Sequence, residues 1–252
     1  MTRRRFIADA TDGLTATLIG EQAAHLARVL RAQRGQIFDV VANGFLHRAE
    51  IASVSESEVV FTLREELEAD TALPLHLLLS VIKFDHYEWG LEKLTELGVE
   101  RITPVLARRT EKHLAHAAAK RVERWRRIVL EASKQSRRTI LPQMDEPQPL
   151  KPAMECADAP LKLLLSETEQ ENTLRGILDQ HRTGILSIET HSPKAEHSPA
   201  IAMAFGPEGG WAAEEMALLQ QAGWRSVTLG PRILRAETAA IAALSICGAW
   251  LV

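Results

Sequence analysis

The sequence is poor in the features that mark several common protein classes. It has two cysteines, Cys156 and Cys247. They lie far apart, without a metal-ligand spacing, and so suggest a reduced, cytosolic protein with neither disulfide nor bound metal. No secretory leader is expected, because Thr2-Arg3-Arg4-Arg5 runs into Phe6-Ile7 and the apolar stretch stops at Asp9. The longest apolar tail, Thr238–Val252, is Ala-rich and too short to span a bilayer, so a buried or subunit-facing helix is expected and no membrane. Nucleotide and hydrolase signatures are missing too. The first α/β strand is not followed by Gly-x-Gly-x-x-Gly, and the chain has no Gly-Lys-Ser/Thr loop, His-Glu-x-x-His helix or Gly-x-Ser-x-Gly elbow. These absences argue against dehydrogenase, kinase, zinc-hydrolase and serine-hydrolase chemistry. His25, His47, His86, His113 and His116 are scattered, and surface or packing roles are their default.

What is present is an ordinary globular balance. The 252 residues are 46% hydrophobic and 25% charged, enough for one large domain or a medium and a small one. The net charge of −3 does not itself suggest nucleic acid, but its distribution is uneven. Between Arg108 and Arg138 eleven basic residues face only Glu111, Glu123 and Glu131, whereas Glu50–Asp70 is acidic with Arg64 its one basic residue. That asymmetry fits a phosphate-facing surface, and equally a solvated helix face.

Up to about residue 72 the pattern is of short strands: Arg4–Ala8, Thr15–Ile19, Gln36–Val41, Phe45–Ala52 and Glu58–Leu63, with Asn43-Gly44 as a hairpin turn. A helix over Glu21–Leu30 interrupts them. This predicts a small β-barrel domain over residues 1–72, with Arg64–Thr71 as linker. Arg3, Arg4, Arg5, Arg28, Arg31, Arg34 and Arg48 offer it an RNA-binding face, or are chance surface arginines. From residue 73 to 252 strands and helices alternate. Strands are predicted at Leu75–Ile82, Ile102–Leu106, Leu161–Leu165, Ile185–Ile188, Ile201–Phe205 and Val227–Leu229, and helices at Tyr87–Leu97, Ala115–Ser136 and Glu169–His181. Proline-rich 142–152 and polar His191–Pro199 are expected loops. The class is α/β, with a mainly parallel sheet covered by helices on both faces.

The most informative stretch is Ile201–Leu244. Two apolar strands each stop at a Gly-Pro pair, Gly206-Pro207 and Gly230-Pro231, and each pair leads into a helix-forming segment. Glycine lets a backbone approach a ligand and proline removes a competing donor. Open α/β sheets bind ligands beyond the carboxyl ends of their strands. The repeated device points to a small molecule held largely by main-chain groups. Two ordinary strand-to-helix turns would read the same way.

Taken together, Gly206-Pro207-Glu208-Gly209-Gly210 and Leu229-Gly230-Pro231-Arg232-Ile233-Leu234-Arg235-Ala236-Glu237-Thr238-Ala239 resemble the signature of the bacterial 16S ribosomal RNA uracil-N3 methyltransferase family, of the knotted SPOUT superfamily. Arg4-Arg5-Phe6, His25-Leu26-x-x-Val29-Leu30-Arg31, Lys83, Lys93, Glu96-Leu97-Gly98-Val99, Pro104, Arg109-Thr110 and Gln135-Ser136 follow the family's order along essentially the whole chain. Three positions depart from it: Ala236 for the usual Thr, Trp211 where Phe is common, and Arg137 where a small residue often precedes Arg138.

The resemblance implies a PUA-like barrel, then a SPOUT domain with a carboxyl-terminal trefoil knot, S-adenosylmethionine as cofactor, and transfer of its methyl group to N3 of a specific uridine in 16S ribosomal RNA. It implies a cytoplasmic homodimer, paired through the apolar Ala239–Trp250 helix, acting on the assembled small ribosomal subunit. On that reading Phe205, Gly206, Pro207, Glu208, Gly209, Gly210, Leu229, Gly230, Ile233, Leu234 and Thr238 surround the cofactor. Arg235 stabilises the uracil anion, and Glu237 orients the loop or accepts the proton, unless the two merely brace the knot. Arg4, Arg5, Arg28 and Arg31 on the barrel, and Arg109, Arg124, Arg127 and Arg138 near the methyl site, contact RNA phosphates. A ribose 2′-O-methyltransferase of the same superfamily would usually carry an early Asn-Arg pair and a late Ser-Leu-Asn run, which Ile233-Leu234-Arg235 replaces here. A non-catalytic RNA-binding protein is the other rival, and the intact Gly-rich loops speak against it.

Overall fold

The computed structural model describes residues 5–67, 72–182 and 199–251. Arg3, Arg4, the strand expected at Ile185–Ile188 and most of the loop expected at His191–Pro199 lie outside them. The chain forms two compact units, Met1–Thr71 with Ser133–Leu141, and Ala72–Ala132 with Pro142–Val252. The return of Ser133–Leu141 to the first unit has no counterpart in the sequence-based division at residue 72.

The first unit is a six-stranded sheet built from β1 (Arg5–Ile7), β2 (Ala10–Thr11), β3 (Thr15–Ile19), β4 (Ile37–Ala42), β5 (Phe45–Val54) and β6 (Glu58–Leu67), in the order β1-β4-β5-β6-β3-β2. Every pairing is antiparallel except β1 with β4. Alternate residues Ala16, Leu18, Val40, Ala42, Ala49, Ile51, Val59 and Phe61 point into one core, closed by Ala23 and Leu26 of the intervening helix. Asn43 and Gly44 both have positive φ (52° and 80°), as a two-residue hairpin turn requires. β6 runs on through Leu67, so the first part of the expected linker is strand. Glu65 and Glu66 carry no apolar pattern, but they pair with Arg48 and His47 across the ladder. The helix expected over Glu21–Leu30 is α1 (Gly20–Ala24) followed by a π-helical turn, His25–Val29, in which Leu30 N–H reaches the His25 carbonyl at 3.1 Å. Arg31 ends it in the left-handed region (φ 48°).

The second unit alternates strand and helix: β7 (Leu73–Ser80), α2 (Phe84–Glu96), β8 (Val99–Leu106), α3 (Lys112–Gln135), β9 (Gln143–Met144), β10 (Gln148–Pro149), α4 (Leu150–Glu155), β11 (Leu161–Leu165), α5 (Leu174–Gln180), β12 (Ile201–Phe205), α6 (Ala213–Gln221), β13 (Arg225–Val227) and α7 (Ala236–Leu251). The order is β10-β8-β7-β12-β11-β13, with β9 also on β8, and all pairings are parallel. Fully buried strands read as continuous apolar runs, and their two faces serve two cores. Leu75, Leu77, Leu79, Ile201, Met203 and Phe205 meet α2, α3, α5 and α7. Leu78, Leu164, Ala202 and Ala204 meet α4 and α6 on the other side. The sheet expected from the sequence, parallel and covered on both faces, is the one observed.

Several local expectations need correction. The proline-rich stretch contains α4, since Pro152 falls in its first turn, where a missing N–H costs no helical bond. α5 starts at Leu174 and not Glu169. The Glu169 carboxylate accepts the N–H groups of Glu171 (2.9 Å) and Asn172 (3.0 Å), holding a turn, and Thr173 caps the helix by accepting Gly176 N–H at 3.1 Å. α7 turns Ala240, Ala243, Leu244 and Cys247 into its own unit's core. Burial there pushes the Cys247 thiol up to about 12, which leaves it inert.

One polar network is buried under the sheet. His76 Nε2 lies 2.7 Å from Thr103 Oγ1, and the Thr103 hydroxyl donates to the Asp145 carboxylate, which also accepts Arg101 Nε at 2.8 Å. With its hydrogen committed to Asp145, Thr103 accepts from His76 Nε2–H. Nδ1 is then a bare lone pair, and it is a buried atom without a partner among the described residues. Burial first, and Arg101 second, hold the His76 pKa down to about 4.

Candidate active site

The carboxyl ends of three neighbouring strands build one cleft of about 1100 Å³. After β12 comes the turn Gly206–Gly210, closed by Gly210 N–H to the Pro207 carbonyl at 2.8 Å. Gly210 has a φ of 70°, which strains any residue with a side chain, and its Cβ position lies 3.4 Å from the Glu167 carboxylate. After β13 comes Thr228–Arg235, where the Thr228 hydroxyl accepts Gly230 N–H at 3.2 Å and Gly230 turns at φ 113°. Ser166–Thr173, after β11, is tied to that second loop by Thr228 N–H to Asn172 O (2.8 Å) and Leu174 N–H to Thr228 O (2.9 Å).

The two Gly-Pro loops that the sequence singles out are therefore adjacent. Phe205, Gly206, Pro207, Glu208, Gly210, Leu229, Gly230, Ile233, Leu234 and Arg235 line the cleft together. Gly209 sits in the turn but off the wall, with its carbonyl accepting Arg109 Nη1 at 2.8 Å. Thr238 is exposed on the first turn of α7 and also off the wall. Arg235 is exposed at the mouth, and Ile233 beside it is 82% exposed, a large apolar side chain left uncovered. Glu237, by contrast, is only 5% exposed, and its Oε1 lies 2.8 Å from His86 Nδ1.

Sequence reasoning missed part of the wall. Lys83 and His86 from the start of α2 belong to it, as do Ser166–Gln170 and Thr173. Lys83 also falls among the positions that follow the family's order, whereas only a place after predicted strands could have signalled the others. Trp211, one of the three departures, packs its indole against Gly206 and is 9% exposed. The mixture suits a cofactor with an apolar ring system and a cationic centre: Phe205, Leu229, Leu234 and Met216 offer apolar surface, while Glu167, Glu169 and Glu208 offer negative charge.

The arginines expected to meet phosphate are differently engaged. Arg124 Nε donates to Glu88 at 2.8 Å, and Arg109 braces the Gly206–Gly210 turn. Arg127 is exposed on α3. Arg28 is exposed and paired with Glu56, while Arg31 is exposed just past the π turn. Arg5 donates to the Arg137 carbonyl, and Arg138 Nε to the Ile140 carbonyl at 3.1 Å. The sequence groups Arg138 with the arginines near the methyl site. It falls within the stretch Ser133–Leu141, which clusters with the first unit.

Residues 69–248 match the family model described as the RNA methyltransferase domain. The chain belongs to this family. A ribosomal RNA small subunit methyltransferase E from Synechocystis is 34% identical over 242 residues, 94% of this chain and 74% of the relative. Its Bacillus subtilis namesake is 30% identical, covering 92% and 88%. Among solved structures, a putative methyltransferase from Legionella pneumophila in complex with bound S-adenosylmethionine aligns with a TM-score of 0.75 and 28% identity, over 99% of this chain and 98% of that one. A ribosomal RNA small subunit methyltransferase E from Neisseria gonorrhoeae, bound to S-adenosylmethionine, aligns at 0.73 and 27%, over 97% and 96%. Both likenesses span the two units, so this RNA methyltransferase shares with its relatives the curled, largely antiparallel sheet as well as the parallel one.

Proposed function

We propose that the chain methylates N3 of a uridine in 16S ribosomal RNA, with S-adenosylmethionine as donor, on the assembled small subunit. The observation that carries this is the convergence of Gly206–Gly210 and Leu229–Arg235 on one cleft, in a chain whose relatives are named as small-subunit ribosomal RNA methyltransferases and whose structural neighbours hold that cofactor. When bound, S-adenosylmethionine supplies an electrophilic methyl group. Main-chain groups of the two loops would hold it, with Phe205, Leu229 and Leu234 against its apolar parts and the glutamates near its positive charge.

The chain's own chemistry is then a matter of the uracil proton. N3 is a poor nucleophile until its hydrogen leaves, and the resulting charge spreads over the two carbonyl oxygens. Arg235, exposed at the mouth, stabilises that charge. The burial of Glu237 and its bond to His86 favour a positioning role for it over direct proton acceptance. We also read the carboxyl-terminal segment as threaded in a trefoil knot, supported by the position of β12 between β7 and β11 and by the ties between the Ser166–Thr173 and Thr228–Arg235 loops. A homodimer covering Ile233 and using the outer side of α7 completes the site. The PUA-like barrel, over residues 1–72, binds RNA through Arg4, Arg5, Arg28 and Arg31, aided by Arg109, Arg124, Arg127 and Arg138. Its ribosomal substrate places the enzyme in the cytoplasm. Among the described residues no helix is long and apolar enough to cross a membrane.

The deciding experiment maps methyl groups on small subunits from cells lacking the protein, before and after its addition with S-adenosylmethionine. A missing N3-methyluridine that reappears is the expected result. A ribose methyl group, or no change, overturns the reading.

A further inference from the structure

We infer that His86 takes the proton from N3 of the target uracil, with Glu237 as the positioning residue that aims it. The inference rests on the N3-methylation reading above. His86 stands in the first turn of α2 and Glu237 in the first turn of α7, 151 positions apart, and the two helices pack face to face. Gly90, one turn beyond His86, faces Glu237: a Cβ there would lie 3.4 Å from Glu237 Cβ, so the two helices meet at contact distance. The consequence is a carboxylate only 5% exposed, held 2.8 Å from His86 Nδ1, while the imidazole itself lies on the cleft wall with its side chain 29% exposed.

An ionised carboxylate only accepts hydrogen bonds, so Nδ1 carries the hydrogen and the neutral ring keeps its lone pair on Nε2. Among the described residues no hydrogen bond reaches Nε2. The Asp85 carboxylate lies 3.7 Å from it, largely exposed and beyond bonding distance. The other charged side chains on the wall are Lys83, Glu167, Glu169, Glu208, Arg232 and Arg235. The cations cannot accept a proton, and carboxylates are as a class much weaker bases than imidazole. A base oriented by a buried carboxylate is the arrangement this reaction needs. The N3 proton passes to Nε2, and the electron pair left on N3 forms the bond to the donor methyl carbon. The carbon–sulfur bond breaks with its pair remaining on sulfur. The imidazolium then returns its proton to water at the open side of the cleft.

His86→Asn is the informative variant, because its amide can keep the donor toward Glu237 while removing the base. Single-turnover methyl transfer to unmodified small subunits should fall about 10²- to 10⁴-fold at neutral pH. The deficit should shrink as pH rises and uracil N3 ionises unaided, and S-adenosylmethionine affinity, measured by calorimetry, should change far less than the rate. In the full-length protein without ligand, nitrogen NMR of the imidazole should show hydrogen on Nδ1 and none on Nε2 in the neutral ring, with that preference lost in Glu237→Gln. A rate within about threefold of wild type, a deficit independent of pH, or a hydrogen on Nε2 in the wild type overturns the inference; the NMR result stands even where the variant does not fold. Wild-type protein that leaves unmodified subunits unmethylated overturns the functional reading and this inference with it, whereas transfer at an unchanged rate in His86→Asn overturns this inference alone.

Discussion

A single added carbon at Gly206 tests whether the cleft depends on close backbone approach. A methyl there would stand 3.1 Å from Nε1, 3.2 Å from Cδ1 and 3.3 Å from Cε2 of Trp211. Comfortable carbon contacts begin at about 3.5 Å, so either the indole or the loop must move by a few tenths of an ångström. The indole is packed with Leu219 and the alanines of β12, which leaves the loop as the part that gives. Overpacking of this kind costs about 1–3 kcal/mol. Gly206 is not among the positive-φ glycines, so alanine also stiffens the unfolded chain, which returns roughly 0.4–1 kcal/mol. The strain outweighs that return, and Gly206→Ala is expected to lose about 1–2 kcal/mol in net stability. That corresponds to a Tm lower by roughly 2–8 °C in calorimetry, and displacement of the loop should weaken S-adenosylmethionine binding about tenfold. Trp211→Leu removes the ring that supplies all three contacts, so Gly206→Ala added on that background should cost little further, a recovery of most of both losses relative to the Leu variant alone. Wild-type Tm and affinity in Gly206→Ala, or no recovery in the double variant, would refute the reasoning.

Three further outcomes follow from the geometry. His76 is protonated less readily in the folded chain (about 4) than at its ordinary value of 6.5; the unfolded state therefore binds the extra proton, and stability falls as pH drops through that window, by at most about 1.4 kcal/mol per pH unit. Urea melts of His76→Gln should show a flatter slope between those pH values, and an unchanged slope counts against a His76 held neutral by burial. RNA affinity should weaken with log salt at about 0.7 per phosphate neutralised, and Arg127→Ala should reduce that slope more than Arg124→Ala, whose side chain Glu88 already holds; equal effects would show that the Glu88 pair opens on binding. Gly206→Ala and His86→Asn share no contact partner, so their effects on transition-state free energy should add to within about 0.5 kcal/mol, and strong coupling in a double-variant cycle would contradict separate roles for loop and base.

Much of this arrangement is legible in the chain because it is written locally. A Gly-Pro pair ending an apolar run marks both the strand's end and the turn, so the residues alone single out Gly206-Pro207 and Gly230-Pro231, while the fold decides between one shared cleft and two ordinary turns. Asn43-Gly44 marks the hairpin for the same reason: two positive φ values in succession admit few other residues. The errors fall where a local signal is overridden. Glu169–Asn172 has helical composition, yet the Glu169 carboxylate satisfies two backbone N–H groups in a turn and delays the helix to Leu174. Glu65 and Glu66 look like linker, yet partners on β5 make them strand.

What no local pattern could supply is the pairing of His86 with Glu237. A lone histidine at the start of an amphipathic helix is by default a surface residue, and a glutamate in a charged loop looks available to solvent. Only the packing of α2 on α7 reverses both readings, burying the carboxylate and turning the imidazole toward the cleft. The main-chain loops, whose job is to hold, need only residues that allow close approach, and these recur as a recognisable motif. The proton chemistry needs one base and one orienting charge, which any two elements meeting at the strand ends can provide. Sequence therefore discloses the loops that line the cleft more readily than the side chains that meet across it.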